Sequence, residues 1–246
     1  MNLIIEQGNT LTKIALFEEG RLVDTYAYKN TAFEPSLVEA LLKQHPTCTN
    51  GILSTVIERD ERLLSLMKSK LATFFVLDEQ MALPIRIGYE TPHTLGKDRI
   101  AAVVGAQCLQ PGRNVLVIDA GTAITYELLE ASGLYVGGNI SPGMTTRFRA
   151  LHHFTQKLPL VSEAEEIPLV GVSTESAIQA GVVNGILLEM DGYIERLRQK
   201  YPDLLVFLTG GHSFYFERRL KNRIFADINL VLIGLNRILE YNVENK

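Results

Sequence analysis

The chain has 246 residues, 46% hydrophobic and 21% charged, with a formal net charge of −4. This is the profile of a soluble globular protein of one large or two ordinary domains, and the absence of a long basic run excludes the electrostatic footprint of a nucleic-acid binder. The start, MNLIIEQGN, lacks a positive n-region and reads as a buried strand, while the uncharged stretch Ala131 to Thr146 is too rich in Gly, Ser, Thr and Pro for a membrane span.

In chain order, short apolar runs predict strands at Leu3–Ile5, Gly51–Val56, Phe74–Leu77, Val115–Ile118 and Leu204–Leu208. Helix-period segments predict helices at Ser36–Gln44, Glu58–Leu71, Arg99–Leu109, Thr174–Lys200 and Asn229–Tyr241. In the third of these helices Ile100, Val103, Val104 and Cys108 fall on one apolar face. The long 174–200 helix has candidate bends at Gly185 and Gly192. The alternation predicts an α/β fold. The turn signal Gln110-Pro111-Gly112 marks a boundary between domains 1–112 and 113–246. Cys48 and Cys108 have no metal-type spacing and read as reduced thiols of a cytoplasmic protein.

An internal repeat organises the chain. LIIEQGNTLT near the start is echoed by LVIDAGTAIT, so that Glu6 aligns with Asp119, Gly8 with Gly121 and Thr12 with Thr125. Gly20 and Gly133 keep the same offset, and an apolar strand follows each. Each half therefore opens with a β-meander, and two copies predict two related lobes facing each other across a cleft.

An acid-x-Gly-polar turn at the end of a buried strand suits phosphate chemistry. Glycine lets the backbone approach a phosphate, backbone N–H and Thr or Asn side chains donate to its oxygens, and a carboxylate can hold Mg²⁺. Lys13 follows the first turn and adds positive charge. Either turn alone reads more readily as a plain hairpin; it is the repeat of the acid at equal register that favours the phosphate reading. A third glycine turn, Thr209-Gly210-Gly211, ends the strand LLVFL. In GYETPHTLGKDRIAAVVGA, Asp98 opens a helix and fits either a cap or a general base, Arg99 suits a carboxylate, and Tyr89 could wall the same pocket. His152-His153 matches no metal motif. No G-x-G-x-x-G follows a strand, which excludes a dinucleotide-dependent oxidoreductase.

Taken together, GNTLTK (8–13), GYETPHTLGKDR (88–99), DAGTAITYE (119–127), YVGGNISPGM (135–144), ALHHFTQKLP (150–159), GVSTESAIQAG (171–181) and LTGG (208–211) resemble the type III pantothenate kinases over nearly the whole chain. The resemblance implies two actin/ribonuclease H-like lobes, each a mixed sheet opening with a β-meander and flanked by helices. It implies ATP-dependent phosphorylation of pantothenate to 4'-phosphopantothenate, the first step of coenzyme A biosynthesis, in a cytoplasmic homodimer whose substrate site lies near the subunit interface. By the same resemblance, Glu6, Gln7, Gly8, Asn9, Thr10, Leu11, Thr12 and Lys13 form the first ATP-binding turn, and Thr122 contacts ATP from the second. Asp98 matches the catalytic base. Tyr89, Gly96, Lys97, Asp98, Arg99 and Thr174 match pantothenate contacts. Asp119 matches a monovalent-cation ligand, for K⁺ or NH₄⁺, and Glu6 stands near the Mg²⁺ that accompanies ATP. The family usually has Asp at the position of Glu6, which is one methylene longer. That departure sets the alternative: a catalytically impaired regulatory or nucleotide-binding protein on the same fold.

Overall fold

A computed structural model describes residues 1–245. The chain divides into two compact units. The first comprises Met1–Gly112, Ser132–Val136 and the segment from Asn229; the second comprises Arg113–Ala131 and Gly137–Ile228.

In the first unit, β1 (Asn2–Gln7), β2 (Leu11–Glu18) and β3 (Arg21–Lys29) form an antiparallel meander. Next to β1, β4 (Asn50–Thr55) and β5 (Thr73–Val76) add in parallel, giving the order β3-β2-β1-β4-β5. Successive strand residues point to opposite faces, so a central strand covered on both sides must be apolar throughout. Leu3, Ile4 and Ile5 meet that need and are fully buried. On one face Leu3, Ile5, Leu16 and Leu53 pack with Val38 of α1 (Pro35–Gln44) and with Leu63 and Met67 of α2 (Glu61–Lys70).

Towards the other face lie α3 (Lys97–Leu109) and the last of seven α-helices among the described residues, α7 (Leu230–Glu244). Asn2 Nδ2 donates to Asn236 Oδ1 of α7 at 2.9 Å. The expected one-sided face of α3 is not what forms. Every residue from Arg99 to Ala106 is buried, and Cys108 is exposed. The reason is close backbone packing: a Cβ on Gly105 would run into the carbonyl of Leu230, and one on Gly234 into that of Ala101. With a second helix this near, small side chains are buried all round, and Cys108 falls beyond the contact.

The second unit repeats the first. β7 (Val115–Ala120) and β8 (Ala123–Leu129) form an antiparallel pair, and β9 (Leu134–Pro142) follows on the far side of β8. Parallel to β7 run β10 (Leu205–Thr209) and β11 (Phe225–Ala226), so β9-β8-β7-β10-β11 reproduces the order of the first sheet. The first residues of β9 belong to the first unit, where Arg86–Ile87, the short β6, pairs with Leu134 and Tyr135. Gly20 and Gly133, at the last turns of the two meanders, have φ of 74° and 76°, left-handed values that glycine adopts without a steric penalty. The core packs Leu116, Ile118 and Tyr126 against α4 (Met144–Phe154) and against Val183, Ile186 and Met190 of α5 (Thr174–Lys200). The latter is one uninterrupted helix of 27 residues, passing through Gly185 and Gly192. After β10 comes the short α6 (Ser213–Glu217).

The predicted strands and helices all form, with ends shifted by up to three residues, as fraying ends allow. One detail of the repeat changes. Four residues (8–11) separate the last paired positions of the first hairpin, Gln7 and Thr12, but three (121–123) separate Ala120 and Ile124 in the second. Glu6 is therefore opposite Lys13, while Asp119 is opposite Thr125, so Thr12 and Thr125 are equivalent in sequence offset but not in pairing. Among the described residues no helix is long and apolar enough to cross a membrane.

Candidate functional site

The site residues divide between the units. The first unit holds residues 6–13, Tyr89 and 96–99; the second holds Asp119, Thr122 and Thr174.

The first turn follows the end of β1. Gly8 donates its N–H to Leu11 O at 2.9 Å, closing the hairpin. Glu6 Oε1 lies over this turn, 3.2 Å from the place a Cβ on Gly8 would occupy. The second turn matches it: Asp119 Oδ1 is 3.3 Å from the Cβ position of Gly121. Each strand-ending acid thus bends over the glycine two residues on, and the longer Glu side chain brings its oxygen to the same relative place. Within the first turn Asn9, Thr10 and Leu11 are exposed and Lys13 is half-buried. Thr12 is fully buried and gives its hydroxyl proton to Asn30 Oδ1 at 2.9 Å, so it shapes the turn from behind. Gln7 is buried, and its Oε1 has no hydrogen-bond partner among the described residues.

The second turn is braced by the start of α4. Gly143 N–H and Thr146 Oγ1 both donate to Thr122 O, at 3.0 and 2.7 Å. A Cβ on Gly143 would stand 2.6 Å from that oxygen, so only glycine allows this approach. Behind it Glu189 of α5 accepts from Arg147 at 2.6 Å, Ser141 at 3.2 Å and Tyr126 at 2.7 Å. Burial by itself would raise the Glu189 carboxyl, but these three donors outweigh it and hold the group below the usual carboxylate range. Burial first, and then the bond to Glu189, push the Tyr126 phenol up. Gly210, with φ of 91°, brings its backbone against the Asp119 carboxylate. Thr174 is the exposed first residue of α5, just after the N-cap Ser173 and inside the Ser173–Ser176 capping box.

The substrate-type residues gather at the start of α3. Its N-cap is Gly96, which has no side chain to offer the first turn. Asp98, in the first turn, accepts the N–H of Arg99 at 2.8 Å. Arg99 is buried, with its guanidinium 5.5 Å from the centre of the Tyr89 ring and donating to Tyr135 Oη at 3.1 Å. The two tyrosine rings are 6.2 Å apart. A planar cation held by one aromatic face and one hydroxyl keeps a fixed orientation, which suits two-point recognition of a carboxylate.

Sequence reasoning missed Tyr135, Asn30 and Glu189. Tyr135 stood in a quoted motif without a role, and no local signal marks the other two.

The family profile described as type III pantothenate kinase matches residues 2–196. A type III pantothenate kinase of Phocaeicola vulgatus is 48% identical over 242 residues, covering 98% of this chain and 99% of that protein. One from Christiangramia forsetii is 46% identical, covering 98% and 99%. Among solved structures, a Campylobacter jejuni protein described as a Baf family transcriptional activator aligns at TM-score 0.66 and 20% identity, covering 98% of this chain and 99% of that one. A ROK family glucokinase from Streptomyces griseus aligns at 0.53 and 11%, covering 99% of both. At these identities the structures speak for the fold alone, an α/β architecture with two mixed sheets flanked by helices. The sequence matches carry more: they span nearly the full length of chain and relative, and the chain belongs to the type III pantothenate kinase family.

Proposed function

We propose that this protein transfers the γ-phosphoryl group of ATP to the hydroxyl of pantothenate, as a cytoplasmic homodimer, giving 4'-phosphopantothenate for coenzyme A synthesis. Family membership supports the reaction, and one observation carries the site: two turns in which a carboxylate lies over a glycine at 3.2 and 3.3 Å. Phosphoryl transfer asks the protein chiefly for positioning and charge stabilisation, and a glycine turn beneath a carboxylate suits a phosphate and its metal ion.

The donor set fits the ions such a reaction uses. Among the described residues no group of three or more His, Cys, Asp or Glu could cage a metal. Mg²⁺ arriving with ATP keeps several waters and needs only one or two carboxylates besides the phosphates. Glu6 would hold it. Asp119 would hold K⁺ or NH₄⁺. When bound, these ions neutralise charge on the phosphates. Residues 6–13 and Thr122 would bind ATP, and Tyr89, Gly96, Lys97, Arg99 and Thr174 would bind pantothenate. Arg99 would orient the substrate through its carboxylate. Asp98 would take the proton that the neutral hydroxyl must lose as it is phosphorylated.

ADP release that depends on pantothenate, with Mg²⁺ and K⁺ both supplied, is the expected result, with a dimer by light scattering at micromolar concentration. ATP binding without pantothenate-dependent turnover would instead point to the catalytically impaired alternative.

The Glu6 assignment has its own test. Glu6→Asp should be tolerated, because the carboxylate remains and its loop can adjust to one carbon fewer. Glu6→Ala should lower turnover and raise the Mg²⁺ concentration needed for half-maximal rate. Superimposable Mg²⁺ titrations for wild type and Glu6→Ala would remove Glu6 from the mechanism.

A further inference from the structure

We propose that Asn30 is a positioning residue for ATP, fixing the first glycine turn so that the N–H of Asn9 faces the phosphates. The inference rests on the reading above in which residues 6–13 bind ATP.

Asn30 follows β3, 22 residues from Gly8 in sequence, yet it fastens the turn at three points. Its Nδ2 donates to Gly8 O at 2.8 Å. Its backbone N–H donates to Thr10 O at 3.0 Å. Its Oδ1 accepts from Thr12 Oγ1 at 2.9 Å. The directions of these bonds are forced. A backbone carbonyl can only accept, so the amide nitrogen must face Gly8, which leaves the amide oxygen for Thr12 and makes the threonine the donor. Thr12 is fully buried, so its hydroxyl anchors the amide from the interior and leaves the side chain of Asn30 one orientation.

That orientation sets a peptide plane. Among the described residues no peptide bond is cis, and in a trans peptide the carbonyl and the following N–H point to opposite sides. With Gly8 O turned towards Asn30, the N–H of Asn9 points away from it. The N–H of Gly8 is already taken by Leu11 O, so the Asn9 amide is the donor this clamp presents. The hairpin is already closed by the Gly8 N–H bond to Leu11 O, without help from β3. A side chain reaching from the end of β3 to the tip adds a constraint that closing the hairpin does not require, and a preorganised donor is what binding a phosphate oxygen rewards.

The test measures kcat, KM for Mg–ATP and KM for pantothenate, with calorimetric titration of Mg–ATP, for wild type, Asn30→Ala, Asn30→Asp and Thr12→Val. Asn30→Ala is expected to raise both the KM and the dissociation constant for Mg–ATP roughly tenfold, the loss of one well-placed donor, with KM for pantothenate within about twofold. Asn30→Asp, nearly the same shape, should lose at least as much, because it sets a carboxylate oxygen against Gly8 O. Thr12→Val keeps the amide but frees it from its anchor, and should give a smaller loss confined to ATP. If Asn30→Ala does not fold, Asn30→Asp and Thr12→Val decide the matter in the same way. A merely structural role would lower the melting temperature and move both KM values together, and that outcome overturns the proposal. So does unchanged Mg–ATP affinity in the folded Asn30 variants. A wild-type protein that binds no Mg–ATP overturns the reading of the turn and this inference with it, whereas tight binding by wild type and variants alike overturns the inference alone.

Discussion

Replacing Asp98 by asparagine is expected to lower pantothenate-dependent turnover by about 10²- to 10⁴-fold with the fold intact, the usual cost of removing a general base. The substitution separates two roles for an acid at a helix start. Asparagine caps a helix as well as aspartate, so a purely capping Asp98 would be replaced at little cost. The N-cap itself is Gly96, and Asp98 acts on the first turn from within it, through its bond to the Arg99 N–H. Asparagine also keeps an oxygen for the Arg99 N–H, which Asp98 now accepts at 2.8 Å, so the first turn of α3 and the setting of Arg99 are preserved. What is lost is the ability to take a proton. Thermal melts within a few degrees of wild type, together with a collapse of kcat in a coupled ADP-release assay, are the expected pair of results. Near-normal turnover would show that the base lies elsewhere.

The second large effect is expected far from any substrate. Gly234→Ala should destabilise the protein by about 3 kcal/mol or more, the upper range for overpacking. For a chain of this size that corresponds to a fall in melting temperature of roughly 6–12 °C. A Cβ at Gly234 would sit inside the carbonyl of Ala101 and also 2.8 Å from the backbone nitrogen of Gly105, and neither is the end of a flexible side chain that could swing aside. The helices must separate, which opens the contact over Leu235, Ile238 and Val104, all now fully buried. Because α3 carries Asp98 and Arg99 at its start, a shifted helix should also raise KM for pantothenate in whatever fraction still folds. Gly105→Ala, the mirror change on α3, should behave alike. Gly181→Ala on α5 is the control: its Cβ would meet nothing within 4 Å, and alanine favours a helix, so unfolding by either probe should be unchanged or slightly later. Equal melting temperatures for Gly234→Ala and wild type would show that the two helices are not held at the separation described.

Periodicity and turn chemistry are local properties, and what they govern was legible from the residues alone. The apolar triplet Leu3–Ile5 announces a strand buried on both faces, and the equal spacing of Glu6-x-Gly8 and Asp119-x-Gly121 announces two copies of one supersecondary unit. The order of the two sheets follows from that duplication. The order and spacing of seven motifs, from 8–13 to 208–211, together suggest the family. Contacts between residues distant in sequence leave no such trace, because they depend on how separate elements dock. The return of α7 to the first unit is one case, and the burial of α3 on all sides, with Cys108 left exposed, is its consequence. The hydrogen bond from Arg99 to Tyr135 spans 36 residues, and the one from Asn30 to Gly8 spans 22. The one-residue difference between the hairpins is decided by pairing across each turn, not by the offset between the repeats. The sequence by itself determined the elements, their duplication and the residue types offered to a phosphate and a carboxylate. Only the tertiary structure decided which way those groups point, since the direction of a side chain or a peptide plane is set by the partner packed against it.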